Sequence, residues 1–559
     1  MDFKEELNNL IKKEICQDIL NKIEIPKEKK FGDYSLPCFF LSKIYKKNPH
    51  QIAAELRQKI TLNKYFSKIE AVGPYINFYI NEKVLAKQTL NQILKEKENF
   101  GNRKEKKKII IEFPSPNTNK PLHLGHLRNI FLGESISRIL EKNGNKIIKA
   151  NLNNDRGIHI CQAMLAYQKY GRNKNPNKKS DHFVGDFYVL YNKKLKENFD
   201  LENQSQEMLK LWEKGDKKTK NLWKKINGWA IKGFEETYRN IGVNFDKVYN
   251  EHEFYFKGKD IILEGYNKGL FKKKEDGTLF IDMGHELGEK VLLRKDQTSL
   301  YITQDLYLSE QKFKDYKFDK SIIVSGSEQL YHFKVLFSLL ELIKAKSAGK
   351  NYHLSYGMVY LPEGRMKSRE GKILDADNIL KEMTDTSQKE LEKRYKNLGK
   401  KEKAKRAKQI GFGALVFHIL KFDPQRDINF NPEESLSFEG DTGPYIQYAN
   451  ARINSILKKI KNKKFKVYED EFNEDEFELI KILGSYPNVV REAAENYKPS
   501  LIANYLLLLV KKFNDNYRKY SILKSKTKLK ESRLSLALAT HYILKDGLRL
   551  LFIGTPEEM

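Results

Sequence analysis

The chain has 559 residues, which at roughly 150 residues per domain suggests about three or four domains and excludes a single small module. Its 103 Lys and Arg against 74 Asp and Glu give a net charge of +29, so a polyanion is the expected partner, while 40% apolar and 12% aromatic residues exclude a disordered polycation. No run approaches the roughly 18 apolar residues of a membrane span, and the mixed-charge start MDFKEELNNLIKKEI is unlike a secretory or transit signal, so a cytoplasmic protein is expected.

The first hundred residues read as a small unit, with helices over Phe3 to Lys22 and Pro49 to Ile60 and a strand-like alternation over Ala71 to Ile80, closed by a Lys-rich hinge, Lys104 to Lys108. Ile109 to Phe113 is a β-branched run typical of a buried strand. It leads through the turn-rich Pro114 to Lys120 into an amphipathic helix in which Leu127, Phe131, Ile136 and Leu140 hold helical spacing until Gly144 supplies a stop. Further strand-like runs at Ile147 to Ala150, Leu300 to Thr303 and Ser321 to Val324 alternate with helical patterns and predict a parallel sheet with helices on both faces. Asp423 to Asp441 reads as an acidic, mobile connector. Beyond about Asn450 the pattern is helical, and Ile502, Tyr505, Leu506, Leu509 and Phe513 mark one apolar face of a bundle. Cys16, Cys38 and Cys161 are far apart without a C-x-x-C pair, so reduced, mostly buried thiols are expected and no zinc site.

The most informative stretch is SPNTNKPLHLGHLR, Ser115 to Arg128, where the first strand of the sheet ends and a helix begins. Ligands of a doubly wound sheet bind at the carboxyl ends of its strands, and a helix N-terminus there offers free N–H groups to phosphate. His123 and His126 share one face of the first turn, and Gly125 between them leaves room for a nucleotide. An isolated H-x-G-H is more often a helix start with two surface histidines; here a second segment changes the weighing. Gly364 to Lys372 reads GRMKSREGK, a basic loop whose Arg365, Lys367 and Arg369 suit a pyrophosphate leaving group. It is not a P-loop, since six residues separate its glycines and Ile373 stands where a metal-binding hydroxyl would be.

The H-x-G-H and M-K-S pair resembles the two signatures of class I aminoacyl-tRNA synthetases. DHFVGD at Asp181 to Asp186, LYITQDL at Leu300 to Leu306, GSEQLYHF at Gly326 to Phe333 and GPYIQYANAR at Gly443 to Arg452 narrow the resemblance to the arginyl enzymes, over nearly the whole chain. The fold class this implies is α/β, a Rossmann-like parallel-sheet catalytic domain with insertions over 106–435. A small N-terminal α+β domain that contacts tRNA, over 1–105, and a C-terminal all-α anticodon-binding bundle, over 436–559, flank it. The implied substrates are ATP with magnesium, L-arginine and tRNA(Arg), with a monomer expected and no zinc. By the same resemblance His123, Gly125, His126, Lys120 and Lys367 belong to the catalytic centre, and Leu124, Arg365, Met366 and Ser368 to the ATP site. Ser368 stands where many class I loops carry a lysine, and Lys120 is the residue that replaces it in this family. Ser115 and Asn117 are implied to hold the α-amino and carboxylate groups of arginine, and Tyr301, Asp305 and Gln329 to read its side chain. A carboxylate matches the guanidinium fork and an aromatic ring packs on its plane, which lysine could not exploit. Tyr448 and Arg452 are implied to meet tRNA, beside a lysine cluster at Lys458, Lys459, Lys461, Lys463 and Lys464. Tyr517 and Tyr520 are stacking candidates, and Tyr505 fits the core. The family generally requires tRNA for adenylate formation, and the same is expected here. The competing readings are a synthetase for another amino acid, a non-catalytic RNA-binding paralogue, and a nucleotidyltransferase acting on a small metabolite.

Overall fold

The computed structural model describes residues 3–296, 298–360, 375–395, 398–460 and 465–559. The first part of the chain contains α1 (Phe3–Ile15), β1 (Tyr34–Pro37), α2 (Phe39–Tyr45), α3 (Pro49–Lys59), β2 (Phe66–Val72), β3 (Tyr75–Ile80) and α4 (Glu82–Glu96), with the strands in an antiparallel sheet of order β1-β3-β2. The alternation over Ala71 to Ile80 is therefore not one strand but the end of β2 and all of β3, because Gly73 at φ +58° and Pro74 reverse the chain. The first helix stops at Ile15, short of Lys22, where the buried Asn8 side chain turns outward from it to accept the Ile19 N–H at 2.8 Å. Lys104 to Lys108 is no hinge. Arg103 and Glu105 donate their N–H groups to the carbonyls of Lys142 and Asn143, and Lys108 already lies in the next strand.

The middle of the chain runs through β4 (Lys108–Glu112), α5 (Leu124–Lys142), β5 (Lys146–Asn153), α6 (Ile158–Tyr170), α7 (Ser180–Leu195), α8 (Asp200–Glu213), α9 (Lys217–Ile241) and β6 (Lys247–Asn250). It continues with α10 (Gly258–Asn267), β7 (Lys272–Lys273), β8 (Leu279–Asp282), β9 (Glu289–Leu293), α11 (Tyr301–Tyr316), β10 (Lys320–Gly326), α12 (Leu330–Leu342), β11 (Asn351–Tyr356) and β12 (Val359–Tyr360). Five of these strands form one parallel sheet of order β11-β10-β4-β5-β6, so the strand order reverses between β4 and β10. That switch point is where a doubly wound sheet opens a crevice. Leu300 to Thr303, expected as a strand, is the start of α11; a four-residue apolar run cannot by itself tell a strand from a buried helical turn, and Ile302 and Leu306 pack at helical spacing.

The remainder is α13 (Ala376–Arg394), α14 (Lys400–Leu420), β13 (Ile428–Asn429), α15 (Pro432–Ser435), α16 (Gly443–Lys458), α17 (Glu474–Asn496), α18 (Pro499–Lys519) and α19 (Thr527–Leu550). The apolar face from Ile502 to Phe513 is buried, with Tyr505 in the core as expected and its hydroxyl donating to the Ile482 carbonyl. Cys38 and Cys161 are buried and Cys16 is exposed, all three free. Among the described residues no helix is long and apolar enough to cross a membrane.

The helix expected to be amphipathic, α5, is instead enclosed: all but four of its nineteen residues are buried, because the C-terminal helices cover the side turned away from the sheet. Its buried charged side chains find partners. Arg128 donates to the carbonyls of Gly357, Met358, Pro424 and Arg426 at 2.7–3.0 Å, Glu134 meets Lys149 at 2.8 Å, and Lys142 meets Asp546 at 2.7 Å with both side chains fully enclosed. Asp423 to Asp441 is accordingly held, not mobile: Arg128 grips its start, β13 pairs with β12, Asp423 bonds Lys498 at 2.6 Å, and Phe430 is fully buried. Replacing Arg128 with Met leaves four carbonyls without their charged donor. At about 1.5–3 kcal/mol for a hydrogen bond to a charged group, the expected result is a fall of about 5–10 °C in the thermal midpoint, read by calorimetry.

Candidate active site

A cavity of about 780 Å³ opens at the switch point, walled by the segments that follow β4, β5 and β10, by α11, and by Tyr356 to Val359. Ser115, Asn117, Lys120, His123, Gly125, His126, Tyr301, Asp305 and Gln329 all line it, so the structure brings together every described residue expected around the nucleotide and the amino acid except Leu124. Leu124 is fully buried in the core. Arg365, Met366, Lys367 and Ser368 lie outside the described residues.

The two histidines cap their own helix. His123 is the N-cap of α5, its Nδ1 accepting the Gly125 N–H at 3.2 Å, while His126 Nδ1 accepts the His123 N–H at 3.1 Å; the rings lie 3.9 Å apart. Burial, helped by the nearby Lys120 ammonium, pushes His123 down to about 3, and burial holds His126 well below the usual imidazole range. Both rings are therefore neutral at pH 7, and because each Nδ1 is an acceptor, each Nε2 carries the hydrogen. The first turn thus presents two neutral N–H donors beside the helix N-terminus. Gly125 makes this possible, since a Cβ there would stand 3.0 Å from His123 Cε1. Lys120 supplies the cation, and burial lowers its pKa from the usual range. Behind it, Gly185 of α7 lies where a Cβ would come within 2.6 Å of Pro121.

On the β5 side, Ser115 stands at φ +54°, its N–H donating to Asn151 Oδ1 at 3.3 Å and its carbonyl accepting from Asn154 at 2.8 Å; Asn117 is exposed to the cavity. The opposite wall is acidic and aromatic. Tyr301 begins α11 and is 66% exposed, and Asp305 lies one turn further, its Oδ2 receiving His332 Nε2 at 2.6 Å. His332 is thus the partner of Asp305 within the protein. Gln329 is exposed at the rim.

Several lining residues escaped the sequence reading. Glu251 is buried, and burial pushes its carboxyl up to about 8 against the opposing pull of Arg156. The Gln304 amide lies between the two, and in the orientation that satisfies both neighbours its nitrogen donates to Glu251 at 2.8 Å and its oxygen accepts from Arg156 at 3.1 Å. Glu112 and Lys312 form a buried ion pair at the cavity wall. A signal for three of them was available: Glu112 ends β4, Arg156 follows β5 and Glu251 follows β6, the positions at which a parallel sheet places ligand-facing groups.

The residues expected at tRNA gather elsewhere, on α16. The Arg452 guanidinium lies 4.7 Å over Tyr448 and 5.8 Å from Tyr517 and bonds Asn514 at 3.2 Å. Tyr448 and Arg452 line a groove of about 620 Å³ with Phe438 and Arg394, the latter 4.2 Å over the Phe438 ring. Tyr517 is partly exposed, whereas the Tyr520 hydroxyl is engaged by Asp475 at 3.0 Å. Lys458 pairs with Glu557 and Glu558, and Lys461, Lys463 and Lys464 lie outside the described residues.

A nucleotide-type crevice at the switch point, capped by the histidines of an H-x-G-H, defines a class I aminoacyl-tRNA synthetase, and residues 89–431 match the family model described as tRNA synthetases class I (R), catalytic domain. Residues 1–80 match the arginyl tRNA synthetase N terminal domain and residues 446–559 the DALR anticodon binding domain. The chain is 45% identical to the arginine–tRNA ligase of Treponema denticola, over 99% of this chain and 97% of that one, and 43% identical to that of Borrelia duttonii over 100% and 99%. Its fold is similar to that of the Thermus thermophilus arginyl-tRNA synthetase, with a TM-score of 0.86 at 27% identity, covering both chains fully. The chain belongs to the arginyl-tRNA synthetase family.

Replacing Gly125 with Ala drives a methyl group against the His123 ring. ATP affinity by isothermal titration is expected to weaken about tenfold, equivalent to about 1.4 kcal/mol, with the thermal midpoint little changed.

Proposed function

We propose that the protein is an arginine–tRNA ligase, converting ATP, L-arginine and tRNA(Arg) to arginyl-tRNA, AMP and diphosphate. The observation that carries this reading is the pairing within one cavity of a cationic, N–H-rich helix start with an acidic, aromatic wall. The arginine carboxylate attacks the α-phosphorus of ATP, the bond to the β-phosphate oxygen breaks, and diphosphate leaves. The terminal ribose hydroxyl of tRNA then attacks the carbonyl of the adenylate, releasing AMP. Lys120 and the Nε2–H groups of His123 and His126 offset charge on the phosphates as it moves, and no side chain forms a covalent bond.

Ser115 and Asn117 hold the α-amino and carboxylate groups. Tyr301, Asp305 and Gln329 take the guanidinium, with Glu251 as a second carboxylate on the same wall, and His332 gives up Asp305 as the ligand enters. Magnesium travels on the phosphates of ATP, and the oxygen-rich triphosphate is a better ligand set for it than a site bordered by Lys120. We divide the chain at 105 and 435 into a tRNA-contacting, a catalytic and an anticodon-binding domain; the order of the three parts is supported by the matched stretches 1–80, 89–431 and 446–559. The Arg452 and Tyr448 groove suits splayed bases. The setting is cytoplasmic translation by a monomer, and adenylate formation requires tRNA.

The test is exchange of labelled diphosphate into ATP across a panel of amino acids, with and without tRNA(Arg). Exchange with arginine and tRNA only is the expected result. Exchange with another amino acid would overturn the assignment of Asp305, and exchange in tRNA-free enzyme would overturn the tRNA requirement.

A second expectation follows from Glu251. With its carboxyl at about 8 it is largely neutral at pH 7, and a cationic ligand selects the ionised form, so the arginine KM should fall as pH rises toward 8 and level off above it. The slope approaches about tenfold per unit below that pH, and Glu251→Gln should flatten it.

A further inference from the structure

The DHFVGD stretch lies on α7, outside the cavity, yet its polar residues are deeply engaged. Asp181 is fully buried, and Gly233 of α9 has no side chain because a Cβ would stand 2.3 Å from the Asp181 carboxyl group. Lys179 Nζ donates to Asp181 at 3.1 Å, to Asp377 at 2.6 Å and to Thr237 of α9 at 2.5 Å. Asp377, in the first turn of α13, also receives His182 Nε2 at 2.9 Å and the Thr237 hydroxyl at 3.2 Å. Asp181, His182 and Asp377 bring ligand atoms within 4.8 Å of one another, but the Lys179 ammonium already sits among them, so the cluster has its cation and is not a metal site.

What the cluster holds is the start of α13 against the turn that carries the nucleotide-facing residues. Asp375 and His123 form an antiparallel bridge, and the Ala376 N–H donates to the Leu122 carbonyl at 2.9 Å. The same α7 presses Gly185 onto Pro121. The segment Lys120 to His123 is thus gripped from two sides, by α7 directly and by α13 through the ion cluster.

We propose that Lys179, His182 and Asp377 are positioning residues for the ATP half-site: they clamp α13 to α7 and so fix the placement of Lys120, His123 and His126. The clamp acts on the phosphate side alone, since the Tyr301, Asp305 and Glu251 wall belongs to other elements. A shift of about 1 Å in such groups costs on the order of a hundredfold in rate. The inference rests on the adenylating reading of the cavity.

The experiment compares Asp377→Asn, His182→Gln and Lys179→Met with the conservative Asp377→Glu and Lys179→Arg. Lys381→Ala is the control, removing an exposed ion pair on the same helix. ATP affinity is titrated directly, arginine binding is titrated without ATP, and diphosphate exchange is measured with tRNA present. The three disruptive variants are expected to weaken ATP binding about tenfold or more and to lower exchange while keeping arginine affinity within about twofold, with recovery in Lys179→Arg or Asp377→Glu. ATP affinity matching the control in all three overturns the proposal, as does an equal loss of ATP and arginine binding, which marks general collapse; should Asp377→Asn or Lys179→Met melt early, His182→Gln, which leaves the Lys179 and Asp377 pair in place, decides. Wild-type enzyme that binds ATP but exchanges with no amino acid would overturn the adenylating reading, while the ATP titrations still decide the clamp.

Discussion

The structure depends on one helix that has to be open at its first turn and closed everywhere else. The first turn of α5 serves the cavity only if its two imidazoles stay uncovered by other elements, while the body of the helix carries Arg128, Glu134 and Lys142 into the interior. A buried charge is tolerated only when it is paired and its hydrogens are used. Each of the three draws its partners from a different stretch of the chain: the carbonyls of the 357–358 and 424–426 segments for the two terminal nitrogens of Arg128, Lys149 of β5 for Glu134, and Asp546 of α19 for Lys142. The C-terminal helix continues the enclosure, its last carbonyls accepting from Ser135 and Arg138 of α5 and so finding the partners that a helix end lacks. The arrangement of sheet, connectors and C-terminal bundle follows from covering this one element.

The cavity that results is polarised. At the α5 end the two imidazoles are kept neutral by burial and by Lys120, and their Nδ1 atoms are spent on the backbone, which leaves donors but no second positive charge to compete for the phosphates. At the α11 end two carboxyl groups face the cavity, Glu251 linked to Arg156 through Gln304 and Asp305 held by His332. A molecule that is anionic at one end of its reaction and cationic at the other can lie across the crevice in only one direction.

Much of this was legible in the sequence, and for physical reasons. The β-branched run at Ile109, the H-x-G-H after it, the glycine stop at Gly144 and the apolar stripe from Ile502 are local patterns whose meaning needs no distant partner. The misreadings share the opposite property. Asp423 to Asp441 looks like a solvated acidic loop until Arg128, some 300 residues earlier, is seen holding its carbonyls. The run at Leu300 was too short for its period to be read, and Ala71 to Ile80 alternates across a turn as though the turn were absent. Glu251, Arg156 and His332 belong to no compact motif, and only the sheet order brings them to the cavity. Charge was the least instructive feature of all, since many of the lysines that produce the +29 are in exposed pairs with Asp or Glu.

The enclosure of α5 also bears on how the protein is made. The helix is complete by residue 142, but α17 and α19, which seal its far side, begin at Glu474 and Thr527. At about 5–20 residues per second, the ribosome needs roughly 20–80 s to add the 400 or so residues in between. Throughout that interval Phe131, Ser135 and Lys142 wait on the nascent chain without the Phe552 ring, the Leu550 carbonyl and the Asp546 carboxylate that they finally meet, so this side of the helix stays uncovered until the last residues have been made.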